Sequence, residues 1–424
     1  MFTEIRKCRI CGNTQLTSLL DLHEQALTGV FPSSPDQKVE TAPVELVKCT
    51  GKGTCGLVQL RHSAAPSEMY GMNYGYRSGL NQSMVRHLQG IADQALALVH
   101  PSPGDLIVDI GSNDATLLKC YHASKYTLVG IDPTGVKFKK YYPENIRLIA
   151  DFFSEGLFRR EFQDVRPKII TSIAMLYDLE DPQSFINDIA RVLADDGIWI
   201  FEQSYLPSML AASAYDTICH EHLEYYALEQ VLPMLKRAGL HAIDVTLNDA
   251  NGGSFRVVAV KEMNPAAAAP SVAGQWARER EEHLEDLTVY MCFRERVERH
   301  RDDLRALLHR LKGEGKVVFG LGASTKGNVL LQYCGITAED LPFIAEVNED
   351  KFGKFTPRTA IPILPQAEAD ARKPDYYLVL PWHFRAGITN GMAAFLKSGG
   401  KLIFPLPELA VVGEEILRAY AITV

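Results

Sequence analysis

Short apolar segments alternate with longer amphipathic segments through the middle of the chain. Five apolar runs have the length of buried strands, at residues 106–110, 126–131, 146–150, 167–173 and 198–203. Residues 84–99 and 183–193 carry apolar side chains at helical spacing, and residues 116–119 predict a helix start after the first strand. Regular alternation of strand and helix predicts a doubly wound α/β domain with a parallel sheet.

A second group of apolar runs predicts another α/β unit nearer the C-terminus. Residues 316–327 combine an apolar run with Gly320-Leu321-Gly322-Ala323-Ser324-Thr325-Lys326-Gly327, which is typical of a strand, a glycine turn and a helix. Further strands are predicted at 343–347 and 376–383. The alanine- and proline-rich residues 264–270 predict a linker. Residues 276–311 predict one long helix with a solvated, charged face.

The first strand of the central unit ends in a tight turn with a single glycine, and the second strand ends in an acid. An acid there is placed to accept hydrogen bonds from ribose hydroxyls. The turn lacks the full G-x-G-x-x-G of dinucleotide sites, whereas S-adenosylmethionine carries no phosphate and needs mainly close backbone approach. We therefore predict an S-adenosylmethionine site, with a ligand-free βαβ unit as the alternative. The predicted S-adenosylmethionine site consists of Gly111, Ser112, Asn113, Asp114, Asp132 and Pro133.

The third predicted strand is followed by an acid and two aromatic residues, Asp151, Phe152 and Phe153. Carboxyl ends of parallel strands meet at one edge of the sheet, where ligands bind. We predict that Asp151 and Phe152 contact the adenine ring of the donor. Plain packing of the two aromatic side chains is the alternative.

Four cysteines near the N-terminus form two pairs. Cys8 and Cys11 have the Cys-x-x-Cys spacing, and Cys49 and Cys55 form a wider pair; a glycine follows the second cysteine of each pair. Four thiolates suit tetrahedral Zn²⁺, and a site without an open position is structural. We predict structural zinc, with free thiols as the alternative.

Residues 215–226 hold the densest cluster of reactive side chains, including His220, Glu221 and His222. Histidine is the usual general base near neutral pH, and a neighbouring carboxylate orients it and favours its protonated form. A metal-binding pair and a solvated polar loop are the alternatives. The aromatic, glycine-rich residues 70–79 predict a loop that closes over a ligand, with an ordinary surface turn as the alternative.

Composition narrows the class of protein. A chain of 424 residues is too long to fold around one ordinary hydrophobic core, so two or three domains are expected. The formal net charge of -8 argues against a nucleic-acid binder, and no apolar run is long enough to span a bilayer. Residues 1–9 are charged and lack a signal segment. Eight cysteines without a signal indicate a reducing compartment, so we expect a cytoplasmic protein.

These motifs together resemble the three-domain sugar C-methyltransferases. The resemblance covers essentially the whole chain. It is carried by the Cys8–Cys11 pair and by residues 55–60 (CGLVQL), 74–79 (YGYRSG), 110–114 (IGSND), 220–222 (HEH), 252–254 (GGS) and 321–327 (LGASTKG).

The resemblance implies three domains: a zinc-binding domain at 1–68, a Rossmann-like class I S-adenosylmethionine methyltransferase domain at 69–268, and a C-terminal Rossmann-like domain at 269–424. The last would be a degenerate repeat that contacts the substrate nucleotide. The implied acceptor is a nucleotide-linked 4-keto sugar, methylated at carbon 3 through an enolate. The implied partners include no nucleic acid and no membrane, and the implied state is a monomer or weak homo-oligomer.

By position in the motifs, the resemblance implies that His222 is the base, that Glu221 and His220 support it, and that Tyr76 holds the substrate or enolate. The chain departs from the deoxysugar enzymes at Cys219, often a tyrosine, at Asp178, where a histidine is often near, and at Asn251, where they carry a histidine. These departures leave open another acidic carbon or a sugar oxygen as acceptor.

Two alternatives from other classes remain to be weighed. A non-catalytic nucleotide-sugar-binding protein would not need His222, Glu221, Asp132 and Asn113, all of which are present. An NAD-dependent oxidoreductase using the C-terminal turn would need a ribose-binding acid after Gly327, and the sequence shows no dinucleotide pattern around Glu346.

Overall fold

The computed structural model describes residues 2–64, 69, 75–122 and 124–420. The predicted domain boundary between residues 68 and 69, and residues 70–74 of the predicted loop, lie outside this part of the chain. Within it, no helix is both long and apolar enough to cross a membrane.

The N-terminal part is built from five strands and the turns between them. β1 pairs with β5 in an antiparallel ribbon, while β2, β3 and β4 are consecutive neighbours in a second antiparallel sheet. The strands are β1 (Phe2–Glu4), β2 (Leu16–Ala26), β3 (Thr41–Cys49), β4 (Val58–Leu60) and β5 (His62–Ala64).

A seven-stranded sheet forms the centre of the molecule, and its five parallel strands confirm the predicted runs. They are β6 (Leu106–Ile110), β7 (Thr127–Ile131), β8 (Ile146–Ile149), β9 (Ile169–Ile173) and β10 (Ile198–Ser204). After β11 (Glu224–Tyr225), which pairs elsewhere, β12 (Leu240–Asn248) and β13 (Ser254–Lys261) form a hairpin at the edge. The order is β12-β13-β10-β9-β6-β7-β8, with β13 antiparallel to both neighbours.

Helices cover both faces of this sheet. The faces differ because side chains alternate along a strand: Trp199 and Phe201 of β10 face one core, and Ile198 and Ile200 face the other. The helices are α1 (Gln82–Val99), α2 (Gly135–Phe138), α3 (Glu155–Phe162), α4 (Pro182–Val192), α5 (Leu206–Ala211) and α6 (Leu228–Arg237). At the start of α4, the Asp181 side chain accepts the Ser184 N–H.

The C-terminal part contains a six-stranded sheet of order β16-β15-β14-β17-β18-β19, parallel except for β19. Its strands are β14 (Val318–Leu321), β15 (Ile344–Glu346), β16 (Ile363–Pro365), β17 (Tyr376–Val379), β18 (Lys401–Phe404) and β19 (Ala410–Val412). Its helices, with the two that precede it, are α7 (Pro270–Glu281), α8 (Leu287–Gly313), α9 (Thr325–Tyr333), α10 (Gln366–Ala371), α11 (Arg385–Gly391), α12 (Ala393–Lys397) and α13 (Ile416–Tyr420).

Two predicted helices are wrong. The long helix at 276–311 is two helices, α7 and α8, because His283 has a φ of 49° and Asp286 caps a new helix by accepting the Thr288 N–H at 2.8 Å. The helix start at 116–119 yields only a turn of 3₁₀ helix at Leu118–Cys120. Asn113 and Ala115, with φ of 50° and 61°, hold the preceding chain outside helical geometry.

One apolar core is continuous through all three parts of the described chain. It joins Leu46 of the N-terminal sheet, Trp199 of the central sheet and Phe319 of the C-terminal sheet, with α8 contributing Phe293. Groups at the edges of the three sheets are therefore held in fixed relation to one another.

Candidate active site

The four N-terminal cysteines converge as the spacing predicted. Their sulfur atoms lie within 4.8 Å of one another, with Cys8 Sγ 3.4 Å from Cys55 Sγ and Cys11 Sγ 3.5 Å from Cys49 Sγ. A tetrahedral zinc site with bonds of about 2.3 Å has its sulfurs roughly 3.8 Å apart, so the cluster fits Zn²⁺ with little adjustment. The Asn13 amide donates to Cys49 Sγ at 3.2 Å, as expected for a thiolate ligand.

Arg9, inside the Cys-x-x-Cys knuckle, links the cysteine cluster to the central part of the chain. Its guanidinium donates to the Leu60 carbonyl at 2.7 Å and to Ser63 Oγ at 2.7 Å, and lies 3.6 Å from the buried Glu224 carboxylate. Glu224 begins β11, which pairs antiparallel with β4. The knuckle is thereby joined to the strand that follows His222.

The glycine turn after β6 is closed by Asp132. One carboxylate oxygen accepts the Asn113 N–H at 2.7 Å, and the other accepts the Thr134 N–H and hydroxyl, each at 2.6 Å. Gly111 has a φ of 74°, and a Cβ there would lie 3.4 Å from Met175. Burial raises the pKa of Asp132, while these hydrogen bonds lower it. Asp132 therefore shapes the turn, and its predicted ribose contact would be additional.

Asn113 and Asp114 hold the described end of the aromatic loop against this turn. Asn113 accepts the Ser78 N–H at 3.0 Å and donates to the Tyr76 carbonyl at 3.2 Å, and Asp114 accepts the Gly79 N–H at 3.1 Å. Tyr76 itself is 40% exposed. The described end of the loop thus lies where it would cover a donor bound at the turn. The side chains of Asn113 and Asp114 hydrogen-bond to this loop and are not free to contact a ligand.

The remaining predicted donor residues lie at the same edge of the sheet. The Ser112 hydroxyl is 2.8 Å from that of Tyr142. Pro133 follows Asp132, and the exposed Asp151 accepts the N–H of Phe152 at 2.8 Å. Phe152 is 51% exposed, whereas Phe153 packs against Phe185 with ring centroids 5.5 Å apart. The packing alternative therefore holds for Phe153, and the adenine contact of Phe152 stays a prediction.

His222 is held in one tautomer by the backbone. Its Nδ1 lies 2.7 Å from the Thr217 carbonyl oxygen, which only accepts, so Nδ1 carries the proton and Nε2 keeps its lone pair. Its ring packs against Tyr177 with centroids 4.3 Å apart. Burial, and then the charge of Lys326, lower the pKa of His222 to about 3. The expectation that a neighbouring carboxylate orients this histidine and favours its protonated form is wrong.

Lys326 brings a positive charge from the second glycine turn to this histidine. Its ammonium donates to the Asn251 carbonyl at 2.6 Å and interacts electrostatically with buried Asp216. Trp382 Nε1 donates to Asp216 Oδ2 at 2.7 Å. In the described part of the chain, Asp216 Oδ1 and His383 Nδ1 are buried without a hydrogen-bond partner. Unsatisfied buried polar atoms beside a cation indicate a place for a polar ligand.

The neighbours of His222 in sequence face the N-terminal part. The Glu221 carboxylate accepts from the Thr28 hydroxyl at 3.3 Å, and His220 Nε2 lies 3.1 Å from the Ala42 carbonyl. No hydrogen bond between described atoms joins His220 to His222. Burial raises the pKa of Cys219 well above its ordinary value, with Glu221 adding to the shift, so this position holds a neutral thiol.

The C-terminal turn repeats the geometry of the first turn. Glu346 ends β15, the neighbour of β14, and accepts the Ala323 N–H at 2.8 Å. An acid therefore does end the strand beside this turn, although the sequence around Glu346 shows no dinucleotide pattern. The Glu346 oxygens also accept the Val347 and Asn348 N–H groups. Both turns are thus closed by an acid on the adjacent strand.

Sequence reasoning did not find two features of the candidate site and its surroundings. Thr217 acts through its carbonyl, which its residue type does not reveal. Lys137 and Lys351 line a shared cleft, and each stands five residues after an acid that closes a turn, Asp132 or Glu346. That repeated spacing is the signal that would have found them.

Purified protein is expected to contain about one zinc per chain, and Cys11→Ser to lose most of it, because three thiolates leave the tetrahedral set incomplete. Metal analysis tests this, with the exposed Cys292 as a matched control in Cys292→Ser. Chelation is expected to leave donor affinity intact while lowering turnover, because β11 loses its ordered partner. Zinc-free protein with full activity would contradict this.

Asp132→Ala is expected to weaken donor binding about ten- to a hundredfold, since one charge-assisted hydrogen bond is worth roughly 1.5–3 kcal/mol and the turn also loses its anchor. Calorimetry with S-adenosylmethionine measures the change. Asp164→Ala is the control, because exposed Asp164 precedes β9 at the opposite edge of the sheet. Equal affinities in the two variants would refute the assignment.

Three family models match successive parts of the chain. Residues 8–70 match "Putative zinc binding domain", residues 84–245 match "Methyltransferase domain", and residues 249–407 match "C-methyltransferase C-terminal domain". Two solved methyltransferases show weak structural similarity. One, from Clostridium acetobutylicum, is 10% identical with a TM-score of 0.34, covering 42% of this chain and 92% of its own. The other, from Synechocystis, is 12% identical with a TM-score of 0.32, covering 42% and 79%.

A curated relative matches far more of the chain. C-methyltransferase NovU from Streptomyces niveus is 30% identical over 414 residues, covering 97% of this chain and 98% of that protein. With the three matched domains, this shows that the chain belongs to the C-methyltransferase family and is an S-adenosylmethionine-dependent C-methyltransferase with a zinc-binding N-terminal domain.

Proposed function

We propose that the enzyme methylates the carbon next to the ketone of a nucleotide-linked 4-keto sugar, with His222 as the base. The observation that carries this is the fixed tautomer of His222. Its Nδ1–H is held by the Thr217 carbonyl at 2.7 Å, so Nε2 is available as a proton acceptor. Carbon methylation requires such an acceptor because a C–H bond must break before the methyl group arrives.

The proposed reaction has two steps. His222 Nε2 takes the proton from the carbon beside the ketone, and the C–H electron pair forms an enolate. The nucleophilic carbon then forms a bond to the methyl group, and S-adenosylhomocysteine leaves. S-adenosylmethionine supplies an electrophilic methyl group, and Asp132 and the Gly111 turn would hold it. Tyr76 lies on the loop docked over that turn and would contact the sugar.

Lys326 would stabilise the enolate oxygen. In the resting protein its charge disfavours protonation of His222, as the lowered pKa records. Negative charge that develops on the substrate oxygen would offset the lysine charge, so His222 would accept a proton more easily as the enolate forms. Asp216 and His383, with unsatisfied buried atoms, would meet the sugar hydroxyls. Cys219, a neutral thiol, would leave enolate stabilisation to Lys326 and Tyr76.

His222→Ala is expected to lower turnover by about 10²–10⁴-fold, the usual contribution of a general base, with donor affinity unchanged. Incubated in deuterated water without the methyl donor, the wild-type enzyme should exchange the proton beside the ketone of its acceptor, and the variant should not. Mass spectrometry of acceptor and product measures both. His309→Ala, an exposed position on α8, is the control. A methyl group on oxygen, or normal turnover of the variant, would reject the mechanism.

Lys326→Met is expected to raise the pKa of His222, because the second cause of its depression is removed while burial remains. Turnover should fall about 10²-fold or more, as when one donor to an oxyanion is lost. Titration of the histidine ring by NMR measures the pKa. Lys326→Arg should keep the pKa low, and Lys316→Met, at an exposed position, should change neither quantity. An unchanged His222 pKa in Lys326→Met would contradict this role.

A further inference from the structure

A cleft of ≈ 200 Å³ opens where the three parts of the chain meet. Phe31 comes from the N-terminal part, Gly75 from the docked loop and Lys137 from α2, while Lys351 and Lys354 come from the C-terminal part. The predicted catalytic, donor-binding and metal-binding residues do not line it. The cleft is smaller than the roughly 300–1,000 Å³ of pockets that enclose a whole drug-sized ligand, so it suits one group of a larger molecule.

Two of its lysines occupy equivalent positions in the two nucleotide-type sheets. Asp132 and Glu346 each end the strand beside a glycine turn and accept an N–H of that turn, at 2.7 and 2.8 Å. Lys137 and Lys351 each follow five residues later. The cleft therefore lies between matching ends of the two sheets, and each sheet presents one cation to it.

The cleft is positive on a chain whose formal net charge is -8. Three lysines line it against one carboxylate, Asp350. Burial lowers the pKa of Lys137 and of Lys351, and repulsion from Lys354 contributes to both shifts. The Glu346 carboxylate interacts electrostatically with the Lys351 ammonium, but its oxygens already accept three backbone N–H groups. Lys351 donates to the Ala323 carbonyl at 2.7 Å, which leaves two ammonium hydrogens for another acceptor.

The cleft is connected to the His222 loop through the segment 28–31. The Thr28 hydroxyl donates to Glu221, the residue before His222, and Phe31 lines the cleft beneath Lys351, whose ammonium lies 4.6 Å from its ring centroid. Three residues span at most about 11 Å. The cleft and the His222 loop are therefore joined by one short segment of the chain.

We infer that this cleft binds the diphosphate that joins the acceptor sugar to its nucleoside. The inference rests on the proposed function, because it takes the acceptor to be a nucleotide sugar. A diphosphate is small, carries negative charge on several oxygens and accepts hydrogen bonds from converging ammonium groups. Bound there, it would fix the sugar at one end while His222 acts at the other.

The first test measures binding of inorganic pyrophosphate to the full-length, zinc-loaded protein by calorimetry. Lys354→Gln and Lys351→Met are each expected to raise the Kd about ten- to a hundredfold, the loss of one charge-assisted hydrogen bond. Lys139→Gln, exposed beside α2 and outside the cleft, carries the same charge change and should bind as the wild type does. Equal affinities in the cleft variants and the control would overturn the inference.

The second test separates this inference from the proposed function. With a keto-sugar nucleotide that the wild-type enzyme methylates, Lys354→Gln should raise the KM for that acceptor at least tenfold and leave the Kd for S-adenosylmethionine unchanged. An unchanged KM would overturn the inference while the reaction itself stands. If no keto-sugar nucleotide is methylated, the proposed function falls, and the pyrophosphate titration still reports whether the three lysines bind a diphosphate.

Discussion

Pairing between β4 and β11 is the constraint on which the active site depends. The Leu60 N–H donates to the Leu223 carbonyl at 2.8 Å, next to the strand, and Arg9 reaches Glu224 from the cysteine knuckle. His222 directly precedes this anchored segment. A loop with many polar residues would otherwise sample many conformations, and each fixed residue costs about 1–2 kcal/mol of backbone entropy. The ordered zinc-binding part offsets that cost, because β4 and Arg9 hold the segment that follows His222.

The two large sheets contribute different groups to the candidate active site. The central sheet closes its turn around Asp132, where the methyl donor would bind in the proposed reaction. The C-terminal sheet closes an equivalent turn around Glu346, and the Lys326 that follows this turn acts electrostatically on His222. In the proposed reaction, the same local geometry would serve a donor site in one sheet and a substrate-facing cation in the other. The apolar core is continuous between the two sheets, so the groups at their edges are held in fixed relation to one another.

Residue patterns predicted the parts of the protein in which side-chain type decides the structure. Apolar runs located the parallel strands, and four thiols located the metal site. The features that the sequence did not predict depend on backbone groups, or on residues that lie far apart in the sequence. A carbonyl at Thr217 selects the His222 tautomer, and any residue type could supply it. The break between α7 and α8 depends on a cap at Asp286 within an otherwise helical charge pattern. Lysines from separate domains meet only after three parts of the chain have assembled.

The pairing of β4 with β11 also has a consequence for biosynthesis. β4 spans Val58–Leu60 and its partner β11 spans Glu224–Tyr225, so the ribosome must add more than a hundred and fifty residues before the N-terminal sheet gains its last strand. Until then β4 presents an unpaired edge, which is a template for wrong pairing with another chain. Early capture of zinc would hold the cysteine turns in place during that interval. Metal supply during translation would then affect the yield of active protein.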